Sequence, residues 1–370
     1  MKTRAAVLWE REKDWSVEEI ELDAPKSGEV LVSMRGSGLC HSDEHVLTGD
    51  LPWPLPMIGG HEGAGVIEDV GPGVTGLAPG DRVIFSFLPV CGRCRSCAQG
   101  MSNLCELGMY LGTGTQISDH TARHHARGQD LGLMCLLGTF AEHTVVSADN
   151  CIKIEDDLPL DVACLLGCGV VTGWGAVTYT GEVRAGDTVA VVGVGGIGIN
   201  AVQGAAAAGA EYVVAVDPVA FKREKALEFG ATHAVATNEE ASALLTDLTR
   251  GRMAQVCVNT AGVGTGDQIA ASLAMVGKRG RVVVTNLHRA TETQVAMSAL
   301  DLTLWEKQVR GSLFGSSNPR SDIPRMLELY RSGHLKLDEL RTRTYSLDEV
   351  NAGYDDMRAG RTLRGVISFD

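Results

Sequence analysis

The sequence predicts an α/β protein in which a doubly wound parallel sheet is inserted into a β-rich domain. Three observations predict it. A glycine-rich turn, Gly193-Val-Gly195-Gly196-Ile197-Gly198, joins an apolar strand to a helix. From about residue 160 onward, strands alternate with long Ala-rich helices. The first 90 residues instead read as short strands bounded by Gly or Pro, and the tail returns to mixed structure. A chain of 370 residues suits two domains and buries enough surface to need no disulfides.

In the β-rich part, Ala5–Trp9, Glu29–Arg35 and Gly63–Val70 are β-rich runs, and GPGVTGLAPGDRV (71–83) is a chain of turns leading into a strand at Arg82–Phe87. In the alternating part, strands are expected at Thr188–Val192, Tyr212–Val216, Gln255–Thr260 and Arg281–Thr285. Helices are expected at Ile197–Ala208, Phe221–Phe229 and Gln268–Ala274. The Ala-rich Gln203–Ala210 serves helix packing, and Glu10–Lys13 is a solvated charge cluster. In the tail a helix runs near Ile323–Ser332, another starts at the capping box Ser346-Leu-Asp-Glu349, and Arg364–Phe369 is a last strand.

Composition excludes several classes. With 33 Lys+Arg against 46 Asp+Glu the net charge is −13, the wrong sign for a nucleic-acid partner. No run of 18 apolar residues occurs, so no membrane span is expected. The first 15 residues hold too short an apolar stretch for a secretory signal, so the expected location is cytoplasmic. Glycine is the outlier at 45 residues, usage that suits tight turns and close backbone approach to a ligand.

The glycine turn has a physical reading as a dinucleotide site. Gly193 permits the tight turn, Gly195 lets the backbone approach a pyrophosphate, and Gly198 lets helix and strand pack closely. The helix N-terminus adds N–H donors and partial positive charge. Asp217 ends the next strand, where its carboxylate would accept ribose hydroxyls and repel a 2′-phosphate. NAD is therefore expected rather than NADP, with Lys222 and Arg223 nearby as features that also suit a phosphate. The ordinary reading is a plain βα turn with a solvated Asp.

Ten cysteines in a reducing compartment are not a disulfide framework. Cys91, Cys94, Cys97 and Cys105 crowd into fifteen residues, so that four thiolates can converge tetrahedrally on one Zn²⁺ in a closed site. An iron–sulfur cluster is the rival. A ferredoxin-type run would place its fourth cysteine three residues on with a proline after it; here the gap is seven and Glu106 follows. Three scattered residues, Cys40, His61 and Cys168, form a Cys₂His set, a catalytic zinc pattern that leaves the fourth position open. Asp43 can orient His61 through its other ring N–H. Singly, each of these has an ordinary reading as a buried small hydrophobe or a satisfied histidine. Cys135, Cys151, Cys164 and Cys257 have no partner at ligand spacing and read as structural.

CHSDEH (40–45), GHEGAG (60–65), the four-cysteine lobe, LLGCGVVTGWG (165–175) and VVGVGGIG (191–198) occur in the order seen in zinc-dependent medium-chain alcohol dehydrogenases, which the chain resembles over essentially its whole length. Within that superfamily it is most similar to the actinobacterial nitrosoaniline-dependent (NDMA-dependent, mycofactocin-associated) alcohol dehydrogenases, through VACLLGCGVVTGWGAV, LEFGATHA, NPRSDIPRMLELYRSGHLKLDEL and GYDDM…RGVI. The resemblance implies a GroES-like catalytic domain, 1–169 and 315–370, around a Rossmann NAD-binding domain, 170–314, in a homodimer or homotetramer. It implies two Zn²⁺ per chain. One is held by Cys40, His61 and Cys168 with Glu62 beside it, the other by Cys91, Cys94, Cys97 and Cys105. Ser42 matches the hydroxyl that receives the substrate proton, and His45 the far end of the relay, reached through the nicotinamide ribose. His41, which stands where an arginine is often found, and Arg364 match pyrophosphate contacts. Thr172 matches a position beside the nicotinamide, and Leu51 and Phe87 match the substrate pocket.

The activity so implied is reversible oxidation of alcohols to aldehydes by hydride transfer to NAD. In the nitrosoaniline-dependent group NAD stays bound and is reoxidised by an external acceptor, with the peptide-derived redox cofactor mycofactocin as the expected cellular partner. The alternatives are a thiol-dependent formaldehyde dehydrogenase and a non-catalytic zinc-thiolate redox sensor. Gln116–Gly138 resembles the loop covering the substrate cleft in longer members, and its His120, His124 and His125 are expected to be surface histidines on a solvated loop rather than metal ligands.

Overall fold

The computed structural model describes residues 1–155 and 157–369. The chain divides into two units, Met1–Cys168 with Asn318–Asp370, and Gly169–Ser317.

In the first unit, among the described residues, five strands close into a small barrel in the order Lys2–Leu8, Ser16–Leu22, His124–Ala126, Gln129–Leu133 and Met57–Ile58. A seven-stranded sheet is built on the long strand Glu29–Gly38, which pairs antiparallel with Glu62–Val70, His143–Ser147 and Arg364–Ser368. The core is filled from these strands and the segments beside them: Leu8, Met34, Phe85 and Phe140 are fully buried, and Trp15 packs edge-on to Phe140 and stacked on Tyr354. The capping box at Ser346 forms in both directions and opens a turn that leads into the helix Val350–Arg358.

The second unit carries a six-stranded sheet among the described residues. Its order is His233–Val235, Tyr212–Val216, Thr188–Val192, Ala254–Asn259, Val276–Val284 and Gln308–Gly311, and every pairing is parallel. Thr188–Val192 is buried at every position, as a strand covered on both faces must be. Helices Gly198–Ala207, Ala220–Glu228, Asn238–Thr249 and Gly266–Met275 make the crossovers. The chain order reverses between Thr188–Val192 and Ala254–Asn259, which makes that pair the switch point of the sheet.

One expectation is corrected here. The stretch expected as a solvated loop contains the hairpin His124–Ala126 and Gln129–Leu133, turned by Arg127 and Gly128, both at positive φ. His124 is fully buried in the barrel, and Thr144 Oγ1, which gives its own proton to Leu137 O, lies 3.3 Å from His124 Nε2. The histidine therefore carries its proton on Nε2, and burial depresses its pKa to about 3. His125 is held between Asp130 and Asp23, and only His120 is exposed as expected, its ring against Tyr110. None of the three joins a metal-donor cluster.

Candidate active site

Cys40, two residues past the strand Glu29–Gly38 and in extended backbone, stands as N-cap of the short helix His41–Thr48, which stops at Gly49 in left-handed backbone. His61 and Glu62 open the strand Glu62–Val70, and Cys168 follows the turn Cys164–Gly167. Three chain segments bring Cys40, His61, Glu62 and Cys168 together, all buried, with their donor atoms within 4.8 Å of one another. Asp43, fully buried on the same helix, accepts Gly60 N–H at 2.7 Å with Oδ1 and places Oδ2 3.1 Å from His61 Nδ1, an ion-pair distance without hydrogen-bond alignment. A carboxylate there holds the proton on Nδ1 and leaves Nε2, which has no partner, as a lone-pair donor.

The electrostatics are those of a cation site. A hydrogen bond from Cys168 is the main influence holding Cys40 well below the ordinary thiol pKa, and the same bond, with burial, pushes Cys168 up. Burial opposes the charge on His61, yet Asp43 and Cys40 hold its pKa well above the usual histidine value. Burial lifts Glu62 to about 7 even though Arg364 pulls it down. Arg364 donates from Nη2 to Glu62 and to Leu39 O, so its guanidinium neutralises the carboxylate and leaves the thiols to another cation. Two thiols, one imidazole with a bare Nε2 and a neutralised carboxylate fit Zn²⁺.

The second cluster, Cys91, Cys94, Cys97 and Cys105, also has its sulfurs within 4.8 Å of one another and contains no disulfide. Cys105 lies 3.6 Å from Cys91 and 3.9 Å from Cys94, sulfur to sulfur. A tetrahedron with Zn–S of about 2.3 Å requires S···S near about 3.8 Å. Backbone N–H groups of Cys97 and Glu106 donate to Cys94 Sγ, and the first of these is the largest influence lowering its pKa to about 6.

Around the first cluster, Ser42 Oγ lies 3.7 Å from Cys40 Sγ, and the Phe87 ring stands edge-on to His61 at 5.9 Å. Leu51, half-buried, donates its N–H to His45 O. His45 is buried, with Nδ1 3.1 Å from Asp50 Oδ2, which also accepts Thr48 Oγ1–H at 3.0 Å. His41 is exposed at the first position of the helix.

In the second unit Gly193 has φ +81, and a Cβ there would meet Ala261 Cα at 2.8 Å. A Cβ on Gly198 would sit 1.9 Å from Gly193 O, so the helix start and the turn after the strand touch backbone to backbone. At Gly195 the nearest heavy atom to that position is Lys222 Nζ at 3.9 Å, which leaves room for a ligand. Ile197 is the N-cap of Gly198–Ala207, and Gly196 O accepts from Asn200 Nδ2. Asp217, 5% exposed, accepts Val194 N–H and Val219 N–H, one on each oxygen, and each oxygen keeps a lone pair for a hydroxyl. Arg223 donates to the Asp217 and Pro218 carbonyls. Thr172 Oγ1 is buried without a partner. A closed turn, open space at Gly195 and an anchored carboxylate fit a dinucleotide.

The sequence profile described as alcohol dehydrogenase GroES-like domain matches residues 26–156, and that described as zinc-binding dehydrogenase matches 196–332. The chain is 54% identical to an NDMA-dependent alcohol dehydrogenase of Amycolatopsis methanolica, with 99% of each chain covered. The chain belongs to the zinc-binding alcohol dehydrogenase family. Alcohol dehydrogenase B of Mycobacterium tuberculosis is 46% identical to this dehydrogenase over 100% of its chain and 99% of the relative. A solved alcohol dehydrogenase zinc-binding domain protein from Burkholderia ambifaria superposes with TM-score 0.93 at 33% identity, covering 100% of this chain and 99% of that one.

Sequence reasoning missed two partners in this dehydrogenase. Asp50 follows His45 by five residues, a spacing that no helical or strand period links. Arg364 reaches Glu62 across 302 residues, which no local pattern shows. Cys135 and Cys257 are buried and pushed up to about 12, as inert core thiols are.

Proposed function

We propose that this dehydrogenase oxidises alcohols reversibly to aldehydes with NAD as hydride acceptor. The observation that carries the reading is the convergence of Cys40, His61 and Cys168 with Asp43 behind the imidazole. These three residues would hold a Zn²⁺, which would supply the Lewis acidity that lets an alcohol ionise near neutral pH. Cys91, Cys94, Cys97 and Cys105 would hold a second, structural Zn²⁺. Ser42 takes up the alcohol proton, and His45, whose Nδ1–H is given to Asp50, keeps Nε2 free to accept it and pass it to solvent. Phe87 and Leu51 line the alcohol's path and exclude water. Gly193, Gly195, Gly196, Ile197 and Gly198 would cradle the NAD pyrophosphate, Asp217 would select the unphosphorylated ribose, and Thr172, whose buried hydroxyl has no partner, would serve the nicotinamide.

The similarity to the NDMA-dependent enzyme supports the finer reading that NAD stays bound and is reoxidised by an external acceptor. The test is the nicotinamide content of extensively desalted protein, released by denaturation. Near one equivalent per chain is expected. Near zero would make NAD a diffusing cosubstrate, and turnover that requires added thiol would favour the formaldehyde-oxidising alternative.

A further inference from the structure

The second unit buries a polar side chain that nothing among the described residues satisfies. Asn286 is 8% exposed, and both its amide nitrogen and its amide oxygen lack a hydrogen-bond partner. His288 Nε2, two residues on, is also buried without one. A buried amide with neither bond made bears the full desolvation penalty of both groups. Native structures hold few such groups, and each points to a missing partner. Whichever way the amide is turned, it offers one donor and one acceptor side.

Its place in the sheet says which partner. Asn286 lies two residues past the carboxyl end of the strand Val276–Val284, and ligands of such sheets bind at the carboxyl ends, across the switch point. The Gly193 turn and Asp217 belong to the strands Thr188–Val192 and Tyr212–Val216, on one side of the switch. Asn286 belongs to the other side, where the second half of a dinucleotide falls. The segment is fixed there: Thr285 Oγ1 donates to Asn259 O at 3.0 Å, and Leu287–His288 pairs with Val263–Gly264. The nicotinamide half carries a primary carboxamide, one carbonyl acceptor and one NH₂ donor, the reciprocal of an asparagine amide.

We infer that Asn286 positions the cofactor by pairing with the nicotinamide carboxamide. Nδ2 donates to its carbonyl oxygen, and Oδ1 accepts from its NH₂. The inference rests on the NAD reading above and deepens it, since two side-chain bonds on the ring would both orient it and slow its release.

The test uses the purified full chain, stripped of resident dinucleotide and then equilibrated with an equimolar mixture of NAD and its 3-acetylpyridine analogue, in which a methyl ketone replaces the amide. Bound dinucleotides are released by denaturation and counted. Wild-type protein should prefer NAD, and Asn286→Leu should reduce that preference about tenfold, the value of one lost hydrogen bond to a buried acceptor. Asn286→Leu should also melt no lower than wild type without dinucleotide, because it removes an unpaired buried amide. Asn286→Asp keeps the acceptor and loses the donor, so it should hold less of both dinucleotides while retaining the preference. An identical preference in wild type and Asn286→Leu would overturn the pairing. A wild type that binds neither dinucleotide would overturn the NAD reading itself, and the inference with it.

Discussion

At the scale of single residues, the proposed function turns on which nitrogen of each histidine is left bare. Asp43 lies beside His61 Nδ1 and Asp50 beside His45 Nδ1, so each ring keeps Nε2 for another partner, in the proposed mechanism a zinc ion for His61 and the alcohol proton for His45. Asp50→Asn removes the charge but not the shape. We expect it to lower kcat by about tenfold to a hundredfold, with little change in bound nicotinamide, because the amide can hold the wrong tautomer. An unchanged pH profile and kcat would show that Asp50 only packs. Ser42→Ala should slow the chemical step by about 10²- to 10⁴-fold while cofactor occupancy stays near wild type. Equal losses in rate and occupancy would count against a proton role for Ser42.

At the scale of elements, the barrel hairpin carries a pH liability. His124 in the unfolded chain takes up a proton near pH 6.5, but in the fold not until about pH 3. Between those values the unfolded state binds more protons, so acidification favours unfolding by about 1.4 kcal/mol per pH unit from this group. Thermal melts between pH 7 and pH 5 should therefore fall more steeply for wild type than for His124→Leu. Parallel curves would mean that the ring reaches solvent before unfolding. The Cys91–Cys105 lobe has almost no apolar core of its own, since three of its four cysteines are only half-buried. Its order should depend on its cation. Chelation, or Cys97→Ser, should open residues 91–105 to hydrogen exchange before the barrel exchanges, and simultaneous exchange would contradict that.

At the scale of the whole molecule, the sequence revealed what is periodic or clustered. The parallel sheet was legible because Thr188–Val192 and Tyr212–Val216 are apolar runs each followed by a helix, and the cysteine lobe because its ligands lie within one turn-rich stretch. The scattered Cys40, His61 and Cys168 could be grouped by ligand type as a Cys₂His set, but nothing in their spacing joins the three segments, and the resemblance carried that step. The hairpin at His124 stayed hidden because His-His-Ala-Arg-Gly has no alternation and an Arg-Gly turn is not an Asn-Gly or Asp-Gly signal. The strand Arg341–Tyr345 was hidden for a similar reason, as its charged residues face outward along an edge. The helix Asn238–Thr249 was missed although Thr237 and Glu240 mark its start, a signal that was present in the sequence.

The claim that an open Cys₂His site runs the reaction is tested most directly by counting zinc per chain in wild type and Cys40→Ser, alongside alcohol turnover. Two zinc ions in the wild type, one in a folded and inactive Cys40→Ser, is the predicted result. A single zinc in an active wild type, or full activity in Cys40→Ser, would contradict it.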